Sequence, residues 1–254
     1  MESTQPSGSL RILAIDIGGT GLKAALLDLE GNMLTDRVRV KTPHPCTSTQ
    51  LVDTLVELVK PLGHFDRISV GFPGVTRRGV IYTAPNIGTE ELKGFDLGGE
   101  LQRRLGCPVR VVNDADMQGQ AVVRGQGTEV AITLGTGMGF AIFSEGELGP
   151  HMELSHHPFQ KGKDYDARVG NAAFEKIGSK KWNRRVKEAI KNIRVLTSFD
   201  RLYIGGGNAK ELTMALPADI EIVNNQNGLK GGAWLWRKDA PATVTVEANA
   251  NTPS

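Results

Sequence analysis

One plan is written into this chain twice, and it limits the possible folds more than any other feature. "LAIDIGGTGLKAALLDLEG" (13–31) is an apolar strand, a Gly-Thr-Gly turn, a second strand and Glu-Gly; "VAITLGTGMGFAIFSEG" (130–146) repeats that plan. Internal similarity of this kind points to a duplicated unit. The surrounding periodicity is α/β. Residues 10–17, 22–29 and 32–40 read as strands. Residues 48–63 carry Leu51, Leu55, Leu58, Val59 and Leu62 at helical spacing behind a Ser/Thr start, with Pro61 near the end. Residues 67–74 read as a strand entering a turn, 97–106 as a short helix, and 108–114 as a strand ending on two polar groups. A third glycine turn, "RLYIGGGNAKEL" (201–212), follows another strand and reads as opening a helix.

Three glycine turns after three strands suggest a ligand. In open α/β sheets, ligands bind outside the carboxyl ends of strands. Glycine lets backbone approach a phosphate, and successive N–H groups make an anion nest. The plainer alternative is that the glycines only make hairpins. "GTGLKA" (19–24) fits a dinucleotide fingerprint, but that motif needs a helix after the turn and an acid about 20 residues on. A strand follows here, and "RVRVK" stands where the acid belongs. Asp16 ends an apolar run, where a carboxylate is costly unless paired. It either holds Mg²⁺ through water beside a phosphate chain or caps the glycine turn. Thr20 and Lys23 suit phosphate contact.

Composition narrows the classes further. A net charge of +2 over 254 residues does not by itself call for nucleic acid. Two cysteines, Cys46 and Cys107, match no zinc spacing or disulfide framework, so a reducing cytoplasm is the expected setting. No apolar run is long enough to span a membrane. Residues 1–9 read as a disordered lead and 239–254 as a disordered tail. The expected organisation is a small lobe over 10–113 and a larger one over 114–238, with a last helix able to pack back on the first lobe.

"DIGGTGLK", "NDAD", "LGTGMG", "ELSHH" and "IGGGN", in this order, resemble the ROK family of sugar kinases over roughly residues 10–236. The resemblance implies two ribonuclease-H-like lobes of the actin/hexokinase superfamily with an interlobe cleft, and phosphoryl transfer to a sugar hydroxyl. Within the family the chain looks closest to the polyphosphate glucokinases: "NDAD" and "GSKKWNRR" resemble that subgroup. "ELSHHPFQKGKDYDARVG" stands where most members have a cysteine-rich zinc motif, so no structural zinc is expected. The resemblance makes Asp114 the general base for the glucose 6-hydroxyl. The same "ND" would also cap the next helix, and both roles are compatible. It makes Asn86, Asn113, Glu153 and His156 the sugar contacts. Asp166 is the candidate for a further acidic contact that the family usually supplies as glutamate. The donor side falls to Asp16, Gly18, Gly19, Thr20 and Lys23, to Gly135, Thr136 and Gly137, and to Gly205, Gly206 and Gly207, where ATP-using relatives place adenosine. Mg²⁺ is the expected cofactor and a homodimer the expected assembly.

The donor is open between polyphosphate and ATP. Residues 175–194 hold eight basic and two acidic side chains. Lys180, Arg184, Lys187 and Lys191 recur at three- and four-residue steps, with Lys181 and Arg185 beside them. Such a face is ordinarily just solvated, but a long polyanion with no base to read demands a basic track. Repressors of the ROK family carry an added N-terminal helix-turn-helix. The first strand here starts near residue 10, so DNA binding is not expected. An ATP-dependent hexokinase is the alternative.

Overall fold

The computed structural model describes residues 10–237, and the proposed lead (1–9) and tail (239–254) lie outside them. The first half runs β1 (Ile12–Ile17), β2 (Leu22–Leu27), β3 (Val38–Val40), α1 (Ser48–Val59), β4 (Arg67–Phe72), α2 (Leu97–Leu105) and β5 (Val109–Asn113). The second half runs α3 (Asp114–Gln120), β6 (Thr128–Leu134), β7 (Met138–Ser144), β8 (Glu147–Leu148), α4 (Tyr165–Val169), α5 (Asn171–Ile177), α6 (Ser179–Thr197), β9 (Arg201–Gly205), β10 (Ile220–Ile222) and α7 (Gly231–Trp234).

The duplication is visible in the sheets. One has the order β3-β2-β1-β4-β5 and the other β8-β7-β6-β9-β10. In both, the first hairpin is antiparallel and the next two strands join in parallel. This is the ribonuclease-H-like arrangement, built twice. The central strands are buried on both faces, which explains why β1 and β6 read as nearly continuous apolar runs.

Local signals set the helix ends. Thr47 and Gln50 form a reciprocal capping box at the start of α1. The helix buries Leu51, Val52, Leu55 and Val59, then tightens into a 3₁₀ turn over Lys60–Leu62, where Pro61 offers no N–H. Asp96 caps α2, and Gly106 closes it in the left-handed region.

Two elements differ from the sequence reading. The 32–40 strand is real only over Val38–Val40. Thr35 Oγ1 accepts the Leu26 N–H that a neighbouring strand's carbonyl would take, and Asp28 binds the Asn32 N–H in a tight turn. The helix expected after the third glycine turn shrinks to a 3₁₀ turn over Ala209–Glu211. Asn183 of α6 explains this, since its amide donates to Glu211 O and accepts from Thr213 N, occupying backbone groups that a helix would pair internally.

Two contacts tie the halves together. The chain returns to the first sheet, where Leu229, Ala233 and Trp236 cover Ile12, Ala14, Ala25 and Leu27. Trp236 Nε1 donates to the buried Ser69 Oγ at 2.9 Å, which in turn donates to Gly232 O at 2.6 Å. Helix α3 lies between the sheets. A Cβ at Gly71 of β4 would stand 2.6 Å from Met117 Cε, and one at Gly139 of β7 would stand 2.7 Å from Ala115 Cβ. Glycine at these two positions lets α3 approach both sheets, and Asp114 is its first residue.

Candidate active site

A cleft of about 360 Å³ opens at the carboxyl ends of the central strands. It brings together most of the residues that the motifs singled out: Gly18 and Gly19 from the first turn, Asn86, Asn113 and Asp114, Gly135 to Gly137 from the second turn, Glu153, His156 and Asp166, and Gly206 and Gly207 from the third.

Asp114 sits at the junction of the two halves. Asn113 ends β5 and caps α3 by accepting the Ala115 N–H at 2.8 Å, while its amide donates to Gly74 O at 3.2 Å. Asp114 Oδ1 also accepts the Ala115 N–H, at 2.9 Å. Capping and site placement are therefore both present in "ND". Burial, then the nearby negative charge of Asp16, Asp116 and Glu153, pushes the Asp114 carboxyl up to about 7, against a smaller downward pull from the Ala115 N–H. A carboxyl in that position is divided between acid and base forms at neutral pH.

The glycine turns are hairpins that still offer donors. Gly18 N–H bonds Gly21 O at 3.1 Å, and Gly135 N–H bonds Gly137 O at 3.0 Å. Thr42 Oγ1 and His44 Nε2 hold the Gly18 and Gly19 carbonyls. Gly19 and Thr136 line the cleft, and their backbone N–H groups are candidate donors for an anion there. Gly19 also packs on Asn86, where a Cβ would come within 3.1 Å of its carbonyl oxygen.

Several candidates have partners of their own or lie beside the lining. Asp16 lies near enough to Asp114 for its charge to raise that carboxyl, and its Oδ2 accepts from Lys23 Nζ at 2.8 Å, so the lysine proposed for phosphate is paired across the β1–β2 hairpin. Thr20 is exposed at the turn tip, outside the lining. Gly205 also lies outside it, because it is still in the ladder, opposite Thr133. Asp166 does line the cleft, yet its Oδ1 accepts the Met138 N–H at 2.7 Å and both its oxygens lie against Gly137. It braces the second turn from below, and burial first of all holds its carboxyl above the usual range.

Glu153 and His156 share a 3₁₀ turn, with His156 Nε2 at 3.7 Å from Glu153 Oε2. Two partners were not singled out in the sequence. His151 Nε2 meets Glu153 Oε1 at 3.0 Å, and His151 Nδ1 meets Asp116 Oδ2 at 2.9 Å. These bonds push His151 up to about 10, and the bond from His151 is the main cause holding Glu153 below the ordinary carboxylate value. "NDAD" and "HMEL" carry these residues, but nothing local marks a contact that spans 35 positions.

The basic residues of α6 are not among the residues that line the cleft. Lys180, Lys181, Arg184, Lys187 and Lys191 are exposed opposite the buried stripe of Trp182, Val186, Ala189, Ile190 and Ile193. Arg185 instead turns inward, donating to Arg168 O at 3.3 Å. Among the described residues, no group of three or more His, Cys, Asp or Glu is placed to hold a metal ion. No described helix is long and apolar enough to cross a membrane.

The ROK family pattern matches residues 12–165. The chain belongs to the ROK family. It is 32% identical over 219 residues to a polyphosphate glucokinase of Mycobacterium tuberculosis (strain CDC 1551 / Oshkosh), covering 80% of each chain. The crystal structure of inorganic polyphosphate/ATP-glucomannokinase from Arthrobacter sp. strain KM superposes with a TM-score of 0.77 at 31% identity, covering 88% of this chain and 97% of that one. A ROK family glucokinase from Streptomyces griseus, solved with glucose and AMPPNP, shares the fold at a TM-score of 0.74 and 20% identity, covering 91% of this chain and 100% of that one.

Proposed function

We propose that this protein transfers a phosphoryl group from inorganic polyphosphate to the 6-hydroxyl of glucose, with ATP as the alternative donor. The observation that carries the reading is Asp114, a carboxyl poised near neutrality between the glycine turns of two facing sheets. A base works best when its pKa lies near the operating pH. Asp114 takes the hydroxyl proton as the oxygen attacks the terminal phosphorus; the terminal P–O–P bond breaks and the donor leaves as polyphosphate one phosphate shorter, or as ADP. Asn86, Asn113, Glu153 and His156 hold the sugar hydroxyls; Asn and His can both donate and accept, whereas an ionised Glu accepts. Backbone N–H groups of the first two turns hold the phosphates, and Asp166 keeps the second turn in place.

Asp16 is a single carboxylate already joined to Lys23. That suits a water-mediated contact with Mg²⁺ arriving on the donor rather than a resident metal. When bound, Mg²⁺ would neutralise charge on the transferring phosphoryl group.

Polyphosphate is favoured as donor by α6. Its first turn has no acidic residue and no side-chain cap, yet it carries Lys180 and Lys181 at the positive end of the helix dipole. Cations there disfavour the helix and favour an anionic ligand. Helix α5 joins this end to the second glycine turn: the Asn171 N–H bonds Gly135 O, and seven residues lead to Ile177. At about 1.5 Å per residue that is a span of roughly 10 Å, which a chain of phosphates bridges. The ATP reading is supported by Gly206 and Gly207 in the cleft wall. Free Cys46 and Cys107 fit a cytoplasmic enzyme, and the exposed Val195 and Leu196 fit self-association into a homodimer.

The test supplies glucose and Mg²⁺ with either nucleotide-free polyphosphate or ATP. Glucose 6-phosphate from polyphosphate is the expected result. Product from ATP alone would return the α6 face to a solvated surface, and product from neither would sink the reading.

A further inference from the structure

With both neighbouring carboxyls ionised, the geometry of His151 is satisfied by one protonation state, although burial pulls Asp116 the other way by raising its carboxyl. Its Nδ1 faces Asp116 Oδ2 at 2.9 Å and its Nε2 faces Glu153 Oε1 at 3.0 Å. A neutral imidazole has one donor and one lone pair, so one nitrogen would point a lone pair at a carboxylate. The imidazolium donates to both. Asp116 is 3% exposed, and its Oδ1 is buried with no hydrogen-bond partner. A buried carboxylate with one oxygen unmatched is expensive, which marks the bond to His151 as its principal compensation.

We infer that His151 is a positioning residue for sugar recognition. It fixes the Glu153 carboxylate in the cleft by anchoring it, through Asp116, to the helix that carries Asp114. This rests on the reading that Glu153 contacts the sugar. Asp114 and Asp116 lie in the first turn of α3, so that helix sets the attacking oxygen's base and the sugar's acceptor together. Glu153 Oε2 is held separately, by Ser155 Oγ at 3.2 Å with His156 Nε2 at 3.7 Å. Without His151, Oε1 would lose its anchor, and the negative groups around it (Asp114, Asp116 and Asp166) would repel it. The high affinity of His151 for its proton, with a pKa of about 10, agrees with a clamp that stays charged through neutral pH.

Three measurements test this together. The first is nitrogen NMR of the His151 ring in the unmodified protein near pH 8, where both nitrogens are expected to be protonated; a neutral ring would overturn the inference whatever the enzyme phosphorylates. The second is calorimetric glucose binding, without donor, to His151→Ala, Glu153→Gln and the double variant. Each single variant is expected to weaken glucose by roughly tenfold to a hundredfold, the range for a lost charged hydrogen bond, and the double is expected to be no worse than Glu153→Gln alone. Additive losses would overturn the clamp. No loss in Glu153→Gln would instead remove the sugar role of Glu153 itself. The third is kinetic: glucose KM is expected to rise in His151→Ala while donor KM stays unchanged. A fall in kcat with both KM values unchanged would mean a purely structural histidine. Should His151→Ala fail to fold, His151→Gln, which keeps one donor, is used in the same cycle.

Discussion

Replacing Asp114 by Asn should slow turnover by orders of magnitude and stabilise the fold, and the two effects share one cause. The folded-state carboxyl titrates at about 7 against an ordinary value of 3.8. Between these values the native state keeps a proton that the unfolded chain has lost, so stability falls as pH rises from about 4 to 7 and stays reduced above. At 1.36 kcal/mol per pKa unit the burden reaches roughly 4 kcal/mol at high pH. Asn removes that burden but weakens the bond with the Ala115 N–H, worth about 1 kcal/mol. The net gain expected near pH 8 is about 2–3 kcal/mol, a rise in Tm of roughly 5–10 °C for a chain of this size, vanishing near pH 4. Loss of the base should lower kcat by about 10²–10⁴-fold. In the unmodified enzyme, kcat/KM should fall roughly fivefold from pH 7 to pH 6, as the ionised fraction drops from about a half to about a tenth. Thermal melts at several pH values and initial rates check all of this. A pH-independent kcat/KM between about pH 6 and 8, or an Asn variant less stable than the parent near pH 8, would refute the assignment.

Other expectations follow from the same geometry. Gly139→Ala places a Cβ 2.7 Å from Ala115 Cβ; neither side can swing away, so about 1–3 kcal/mol of stability and a measurable part of kcat should be lost as α3 shifts. Glu129 is buried, and although burial alone would raise its carboxyl, bonds from the Arg124, Gly125 and Gln126 N–H groups and from Tyr203 hold it below the usual range. Its contribution is therefore present above the ordinary carboxylate pKa and lost as pH falls, and Glu129→Ala should cost about 3 kcal/mol near neutrality in chemical denaturation. Lys180→Glu with Arg184→Glu should raise KM for polyphosphate about tenfold or more at low salt without changing glucose KM. The difference should shrink near 0.5 M salt as the charges are screened.

What the sequence made legible was local. The glycine turns, the duplicated hairpin and the Asn113–Asp114 cap all depend on residues within a few positions of one another. The charge spacing of α6 announced its basic face, although Arg185, counted with that face, turns inward. The rest depended on partners distant in the chain. Asn183 captures the backbone after the third turn and cancels the helix expected there. Asp166 reaches back 28 residues to Met138 and braces the second glycine turn. Lys23 and Asp16 are seven residues apart, but only the β1–β2 register puts them directly opposite. The Asp116–His151–Glu153 cluster joins α3 to a loop after β8, and no spacing rule predicts it.

The most direct test of the central claim follows the product itself. Unmodified protein and Asp114→Asn are each incubated with glucose, Mg²⁺ and nucleotide-free polyphosphate, and ³¹P NMR records the phosphate ester formed. The account predicts an ester at the glucose 6-position from the unmodified protein and almost none from the variant at equal glucose saturation. Ester formation by Asp114→Asn at the parental rate, or an ester at another hydroxyl, would contradict it.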